Sequence, residues 1–210
     1  MPTHGPIFSE ATPLPSLADV PLLWDTYGML DNIRAHSRRV RDVSLLLASW
    51  LEPAGVSLHP LALQIGALLH DIAKTPCLDG SCHHDQRGAD ILSELGYPQL
   101  GALVAMHVNF PPDGPIDEAA VVYYADKRVR HDTIVSLDKR FDYIEQRYGR
   151  GRPERIERIA EGKRRAFAMQ KRLFSLIENT RPTRSMTRYQ RDRDVPSPHF
   201  ADDYLPSKNS

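Results

Sequence analysis

A short segment of the chain, LLHDIAKTPCLDGSCHH at residues 68–84, contains three histidines, two aspartates and two cysteines. Imidazole, carboxylate and thiolate groups are the side chains that bind transition metals. Cys77, Cys82 and the two histidines that follow them would crowd one short loop, whereas structural zinc sites normally take their ligands as two spaced pairs. The better candidates for metal ligands are therefore the histidines and aspartates whose side chains face the protein interior.

Several histidines occupy positions where a buried apolar residue is expected. In a helix predicted over residues 30–51, His36 lies on the same stripe as Ile33 and Val40. The anomaly recurs in later predicted helices, at His70, His84, His107 and Asp126. One histidine on an apolar face is commonly a core residue bonded to a carbonyl, but a buried carboxylate needs a partner. The joint pattern, with Asp71 beside His70, favours one shared metal centre.

The elements that must position these residues are predicted to be helices. Apolar residues recur at three-four spacing, Pro and Gly fall mainly between the periodic segments, and no sustained two-residue alternation is present, so we predict an all-α fold. The predicted helices cover residues 21–28, 30–51, 60–74, 84–95, 98–108, 117–130, 136–148 and 153–178. Residues 1–16 are predicted to be a flexible, Pro-rich leader, and residues 180–210 a disordered tail that is rich in Arg, Ser and Pro.

Composition narrows the functional classes. The 27 Lys and Arg residues balance the 27 Asp and Glu residues, so net charge gives no argument for a nucleic-acid-binding protein. No apolar run is long enough to span a bilayer and no signal segment begins the sequence, so we expect a cytoplasmic protein without a membrane span.

In a reducing compartment a bridge between Cys77 and Cys82 is the less favoured state, and we predict a loop with free thiols at the rim of the site.

The candidate ligands resemble those of the HD-domain metal-dependent phosphohydrolases. The family motif is a first His, an adjacent His-Asp pair and a distant Asp, which match His36 in AHSRRV, His70 and Asp71 in LLHDIAK, and Asp126 in YYADKR. The HDIxK sequence followed by His84 and a later His107 is similar to the HDIG-type subgroup that includes cyclic dinucleotide phosphodiesterases and HD-type diadenosine tetraphosphate hydrolases. The chain lacks the HHE signature of the cyclic dinucleotide group.

The resemblance implies a helical-bundle HD domain, which we place at residues 17–148. It implies that His36, His70, Asp71 and Asp126 bind a metal ion, with His84 and His107 as ligands of a second ion or as phosphate-binding groups. Imidazole and carboxylate ligands suit a divalent transition metal, and iron or manganese is our expectation, as one or two ions. The implied activity is hydrolysis of a nucleotide, a dinucleotide or another small phosphoester by a metal-activated water. The enzyme would be a phosphomonoesterase, phosphodiesterase or pyrophosphohydrolase, with Asp71 and Lys74 as its catalytic residues.

Three alternatives remain open from the sequence. Lys74 either binds substrate phosphate or is a lysine that interacts with the dipole at a helix C-terminus. The domain as a whole could be a non-catalytic HD module that binds a nucleotide or a partner protein. The basic C-terminal helix, placed at 149–179, packs on or extends the domain in the favoured interpretation, because glutamates are interspersed among its cations. Docking on RNA, an acidic partner or a membrane surface is the less favoured one, so nucleic-acid binding is possible but not expected.

Overall fold

The computed structural model describes residues 8–180 as a bundle of α-helices with one small hairpin. The all-α prediction is confirmed, although the two short antiparallel strands that follow the sixth helix were not predicted. The elements are α1 Val20–Thr26, α2 Asp31–Leu51, α3 Pro60–Leu69, α4 His84–Glu94, α5 Pro98–Ala105, α6 Glu118–Lys127, β1 Val129–Arg130, β2 Thr133–Ile134, α7 Leu137–Ile144 and α8 Pro153–Thr180. A 3₁₀ turn, Glu52–Ala54, follows α2, and a π-helical turn, Glu145–Gly149, follows α7.

The sixth helix forms the centre of the bundle. Every residue of α6 is buried, including the charged residues near its ends. Small and apolar side chains occupy most of its surface, which lets α2, α3 and α8 pack against different sides of it. The Asp117 carboxylate accepts a hydrogen bond from the Ala120 amide and caps its N-terminus. A functional residue on α6, such as Asp126, is therefore held in the interior by the whole fold.

Two of the helices that end earlier than the sequence predicts do so just before candidate ligands. The predicted helix over 60–74 ends at Leu69, so that His70 and Asp71 follow its last turn. The predicted helix over 98–108 ends at Ala105, two residues before His107. In each case the histidine Nδ1 donates to a carbonyl of the terminating turn, from His70 to Ala67 O and from His107 to Val104 O. The histidine rings thus bond to carbonyls in the last turns of the helices, where the regular intrahelical hydrogen bonds end.

Close packing of α4 against α5 brings two further candidates together. A Cβ atom on Gly101 would lie only 2.7 Å from the carbonyl oxygen of Ala89, so no side chain fits at this crossing. The short distance between the helices allows His84, the first residue of α4, to reach His107 beyond the end of α5. Gly101 therefore helps to bring His84 and His107 together, although it does not line the site itself.

The ends of the chain differ in how much of them the structure describes. Phe8 is buried in the core, so the part of the predicted leader that is described includes a packed residue. The predicted tail lies outside the described residues, apart from Thr180 at the end of α8. Within the described part of the chain, no helix combines the length and the apolar character needed to cross a bilayer.

The two cysteines form a disulfide, so the prediction of free thiols is wrong for this structure. A tight loop between the end of α3 and the start of α4 brings the Cα atoms of Cys77 and Cys82 to 5.1 Å, within the range that a disulfide requires. The prediction rested on an assumed reducing compartment, and the loop geometry was not visible in the sequence. Cys77 lines the cleft described below, so the loop does lie at the rim of the site.

Candidate metal centre

The six predicted ligands come from three helices and from the turns that follow two others, and they converge into one cluster in which five are buried and His84 is half-buried. His36 comes from α2, His70 and Asp71 from the turn after α3, and His84 from the start of α4. The ligand atoms form two adjacent groups, in each of which all atoms lie within 4.8 Å of one another. The first group is His36, His70 and Asp126, and the second group is Asp71, His84 and His107.

The carboxylate of Asp71 lies between the two groups. Its Oδ2 is 3.5 Å from His70 Nε2 and 3.9 Å from His36 Nε2, both in the first group. Its Oδ1 is 3.4 Å from His84 Nε2 and 3.5 Å from His107 Nε2, both in the second group. One oxygen therefore faces each group, which is the arrangement of a carboxylate that can bridge two ions.

Backbone carbonyls orient three of the four imidazole rings. Besides the bonds from His70 and His107, the Nδ1 atom of His36 lies 2.8 Å from the carbonyl oxygen of His131. Because a carbonyl can only accept, each Nδ1 carries the hydrogen, and the neutral ring then presents the lone pair of Nε2 to the cluster. His131 lies in the β1–β2 turn with a φ of 57°. The hairpin thus directs a carbonyl at a candidate ligand.

Unpaired buried atoms show that the cluster fits a metal. His70 Nε2 and Asp71 Oδ1 are buried and have no hydrogen-bond partner among the described residues. His84 Nε2 and His107 Nε2 lie only 3.1 Å apart. Converging lone pairs and carboxylate oxygens need a cation or proton between them, and a nitrogen-oxygen set of this kind suits a divalent transition metal.

The carboxylates of the cluster are held in their ionised form. Burial opposes ionisation of Asp71, but Lys74, whose Nζ is 2.6 Å from Oδ2, and His70 hold the pKa of that carboxyl well below its usual range. Burial likewise opposes ionisation of Asp126, and the Lys127 ammonium at 2.7 Å outweighs it, so the pKa of Asp126 is also well below normal. Both side chains are therefore available as anionic ligands at neutral pH.

The histidines respond to the same environment in opposite ways. Burial lowers the pKa of His107 to about 4, which keeps its ring neutral. Burial also disfavours the charged form of His70, but the carboxylates of Asp71 and Asp126 outweigh it and raise the pKa of His70 to about 9. The negative charge that favours a proton on His70 also favours a metal cation at the same position.

The cluster forms the floor of a cleft of about 680 Å³. Asp71 and Asp126 supply the carboxylates of its lining, whereas the cations are more numerous: Lys74, Lys127, Arg140, Arg147 and Arg158. A cleft of this size is typical of small-molecule sites, which range over about 300–1,000 Å³. The excess of positive charge indicates an anionic ligand.

Lys74 lies beside the cluster rather than in the last turn of a helix. Since α3 ends at Leu69, the helix-dipole alternative does not fit its position. Its ammonium contacts Asp71 and lines the cleft, where it can also reach a bound anion.

Sequence reasoning missed Arg140, although the pattern that indicated the histidines was present there too. On α7 this arginine shares the three-four stripe of Leu137, Phe141 and Ile144, so a cation stands where an apolar residue is expected. Its Nη2 lies 3.7 Å from Asp126 Oδ1, and only 12% of its side chain is exposed.

The fold and the site together define a class of protein: an α-helical domain with a largely buried histidine–aspartate cluster that could hold a metal ion at the base of a cationic cleft. Residues 33–130 match the family model described as the HD domain. This range contains all six residues of the cluster, whereas α7 and α8 follow it. A match to the HD domain indicates a metal-dependent hydrolase.

One relative in the comparison is an uncharacterized protein from Methanocaldococcus jannaschii. It is 28% identical over 145 residues, which are 61% of this chain and 84% of the relative. No solved structure matches the chain. The comparisons therefore support the family and leave the substrate to be argued from the site.

Proposed function

We propose that this protein is a metal-dependent phosphohydrolase that hydrolyses a nucleotide, a dinucleotide or another small phosphoester. The observation that carries the proposal is the position of Asp71, whose two carboxylate oxygens face two separate groups of ligands at the floor of a cationic cleft. Divalent ions held there would lower the pKa of a water molecule and withdraw electron density from a phosphoryl oxygen. We assign His36, His70, Asp71 and Asp126 to the first ion and His84 and His107 to a second.

The protein groups around the cluster have separable roles. Lys74 and Lys127 each contact a ligand carboxylate, at 2.6 Å and 2.7 Å, and keep Asp71 and Asp126 ionised. Lys74 is also 30% exposed, so it can bind a phosphoryl oxygen while it holds Asp71. The carbonyl bonds at Nδ1 fix the rings of His36, His70 and His107, so that these ligands need no reorganisation when a cation binds.

The donor set supports iron or manganese as the metal. Four imidazoles and two carboxylates are too nitrogen-rich for calcium or magnesium, which prefer oxygen ligands, and no thiolate lies in the cluster to favour a softer ion. The choice between these two metals remains a prediction.

Contacts of α8 support a packing role for this basic helix rather than a nucleic-acid interface. Arg164 and Arg165 pair with Glu161, and Lys163 pairs with Asp138. Arg172 donates to carbonyl oxygens in the loop before α6. Cations that are engaged within the chain are less available to phosphates of a nucleic acid.

The test combines metal analysis with a hydrolysis screen. Protein purified without chelator should contain one or two equivalents of a divalent transition metal, measured by plasma mass spectrometry. It should release phosphate or a nucleotide product from some members of a panel of nucleotides and dinucleotides, and chelation should abolish this activity. Nucleotide binding without turnover in the metal-loaded protein would instead support the non-catalytic HD module.

A further inference from the structure

Three arginines of the cleft make no close ion pair with a ligand carboxylate. Lys74 and Lys127 each make a close ion pair with a ligand, whereas Arg147 and Arg158 form no ion pair with any described carboxylate. Arg140 approaches Asp126 only to 3.7 Å. These three arginines lie on α7, the π-helical turn and α8, all of which follow the residues that match the HD family. The cleft therefore has a second cationic wall built from the C-terminal segment.

The deepest arginine of this wall has an unmet hydrogen-bond donor. Arg140 Nε is buried and has no partner among the described residues. An unsatisfied buried donor costs about 1–3 kcal/mol, and more in a charged group, so the Nε of Arg140 calls for an acceptor from a water molecule, an ion or a ligand. An anion next to the metal cluster would supply that acceptor.

The mouth of the same cleft is apolar. Among the described residues seven large hydrophobic side chains are exposed, and three of them line this cleft. They are Leu30, Leu78 and Tyr148, with 45%, 63% and 49% of their surface exposed. Single exposed apolar residues are ordinary on a protein surface, but three around one polar cleft mark a place for an apolar or aromatic part of a ligand.

The cleft thus has a candidate metal-binding floor, a wall of three arginines that make no close ion pair with a carboxylate, and an apolar mouth. We propose that Arg140, Arg147 and Arg158 form an anion subsite for the phosphate groups beyond the one held at the metal cluster, and that Tyr148 contacts a nucleoside base. The substrate class is then a nucleoside carrying two or more phosphates rather than a monophosphate. This proposal rests on the proposed phosphohydrolase function, because it names the substrate of the same site.

Equilibrium binding tests the subsite without requiring turnover. Isothermal titration calorimetry on the full chain, as purified with its metal, would compare inorganic phosphate with two hydrolysis-resistant probes, methylenediphosphonate and α,β-methylene ADP. Wild type should bind the diphosphonate at least about tenfold more tightly than phosphate, since charge-assisted hydrogen bonds from two arginines add to the affinity.

The informative variant is the double substitution Arg147→Ala, Arg158→Ala. Both side chains are exposed, so folding is not at risk, and neither contacts a candidate metal ligand, whereas Arg140 does. The double variant should lose most of the preference for the diphosphonate and bind phosphate as wild type does. Tyr148→Ala should weaken α,β-methylene ADP but not the diphosphonate. Lys171→Ala, which removes an exposed cation of α8 outside the cleft, is the matched control and should change neither.

Failure of the proposed subsite and failure of the proposed hydrolase function would give different results. If the diphosphonate and phosphate bind wild type equally, or if the double variant keeps the preference, the subsite is refuted whatever the enzyme hydrolyses. If the preference is present and lost as expected but no phosphate compound is turned over, the subsite stands and the proposed hydrolase function fails.

Discussion

Removal of His84 and His107 should convert a two-ion centre into a one-ion centre. These two imidazoles supply two of the three residues of the second ligand group, so the variant His84→Ala, His107→Ala leaves that group only one oxygen of Asp71. The first group keeps its three residues, and the other oxygen of Asp71 still faces it.

The size of the effect follows from the number of ligands lost. Loss of a residue that merely supports a ligand weakens metal affinity about 10–100-fold, so loss of two direct ligands should cost at least about 100-fold. This factor corresponds to about 2.8 kcal/mol of binding free energy. At a free ion concentration ten times the wild-type dissociation constant, occupancy of the second site should fall from about 90% to about 10%.

Equilibrium dialysis against Mn²⁺, followed by plasma mass spectrometry, measures this occupancy directly. Wild type should bind two ions and the double variant one. His83→Ala is the matched control, because this neighbouring histidine is exposed and belongs to neither ligand group. One ion in both wild type and double variant would refute the two-ion arrangement, and the two histidines would then be substrate-binding groups. Two ions in both would show that the ligands have been misassigned.

Other perturbations should have distinct effects. Asp71→Ala removes a residue that faces both groups, so metal content and hydrolysis should both be lost, and wild-type turnover would refute the site. Reduction of the Cys77–Cys82 bridge should lower the free energy of unfolding by about 2 kcal/mol in denaturant titrations, with hydrolysis at 25 °C retained because no ligand lies in the closed loop. Gly101→Ala should destabilise the protein by about 1–3 kcal/mol because its Cβ would clash with a backbone carbonyl, whereas Gly162→Ala, which meets Phe141 at an ordinary 3.4 Å, should raise Tm slightly. Equal Tm shifts for the two glycine variants would contradict this reading of the packing.

The sequence indicated site residues where a polar side chain occupies a position that the helical pattern predicts to be buried. His36 and Asp126 could be selected because each interrupts an apolar stripe, and the structure does bring them to 2.9 Å of one another. Arg140 carried the same conflict on α7 and could have been selected by the same rule. Arg147 and Arg158 could not, because exposed arginines are ordinary and only the tertiary arrangement places these two at the cleft.

Local chain geometry was less predictable than the helical pattern. The helical periodicity around His70 and His107 continues past the observed helix ends. Each of these histidines points into the core as a helical residue of the stripe would, while its Nδ1 bonds to a carbonyl of the last turn. The β1–β2 hairpin is only two residues long on each strand, too short for an alternating pattern to be detected. The bridge at Cys77 depends on the path of a short loop, which composition alone does not determine.

The separation of the ligands along the chain links metal supply to folding. His36 and Asp126 meet although they are 90 residues apart in the sequence, so the centre can form only after the segment through α6 has been synthesised and has folded around α2. An ion that binds this centre then binds the native state and not the unfolded chain, and at 100 times its dissociation constant it adds about 2.7 kcal/mol to stability. Cells short of the metal would accumulate less folded protein as well as less active protein, because the bound ion stabilises only the folded helical bundle.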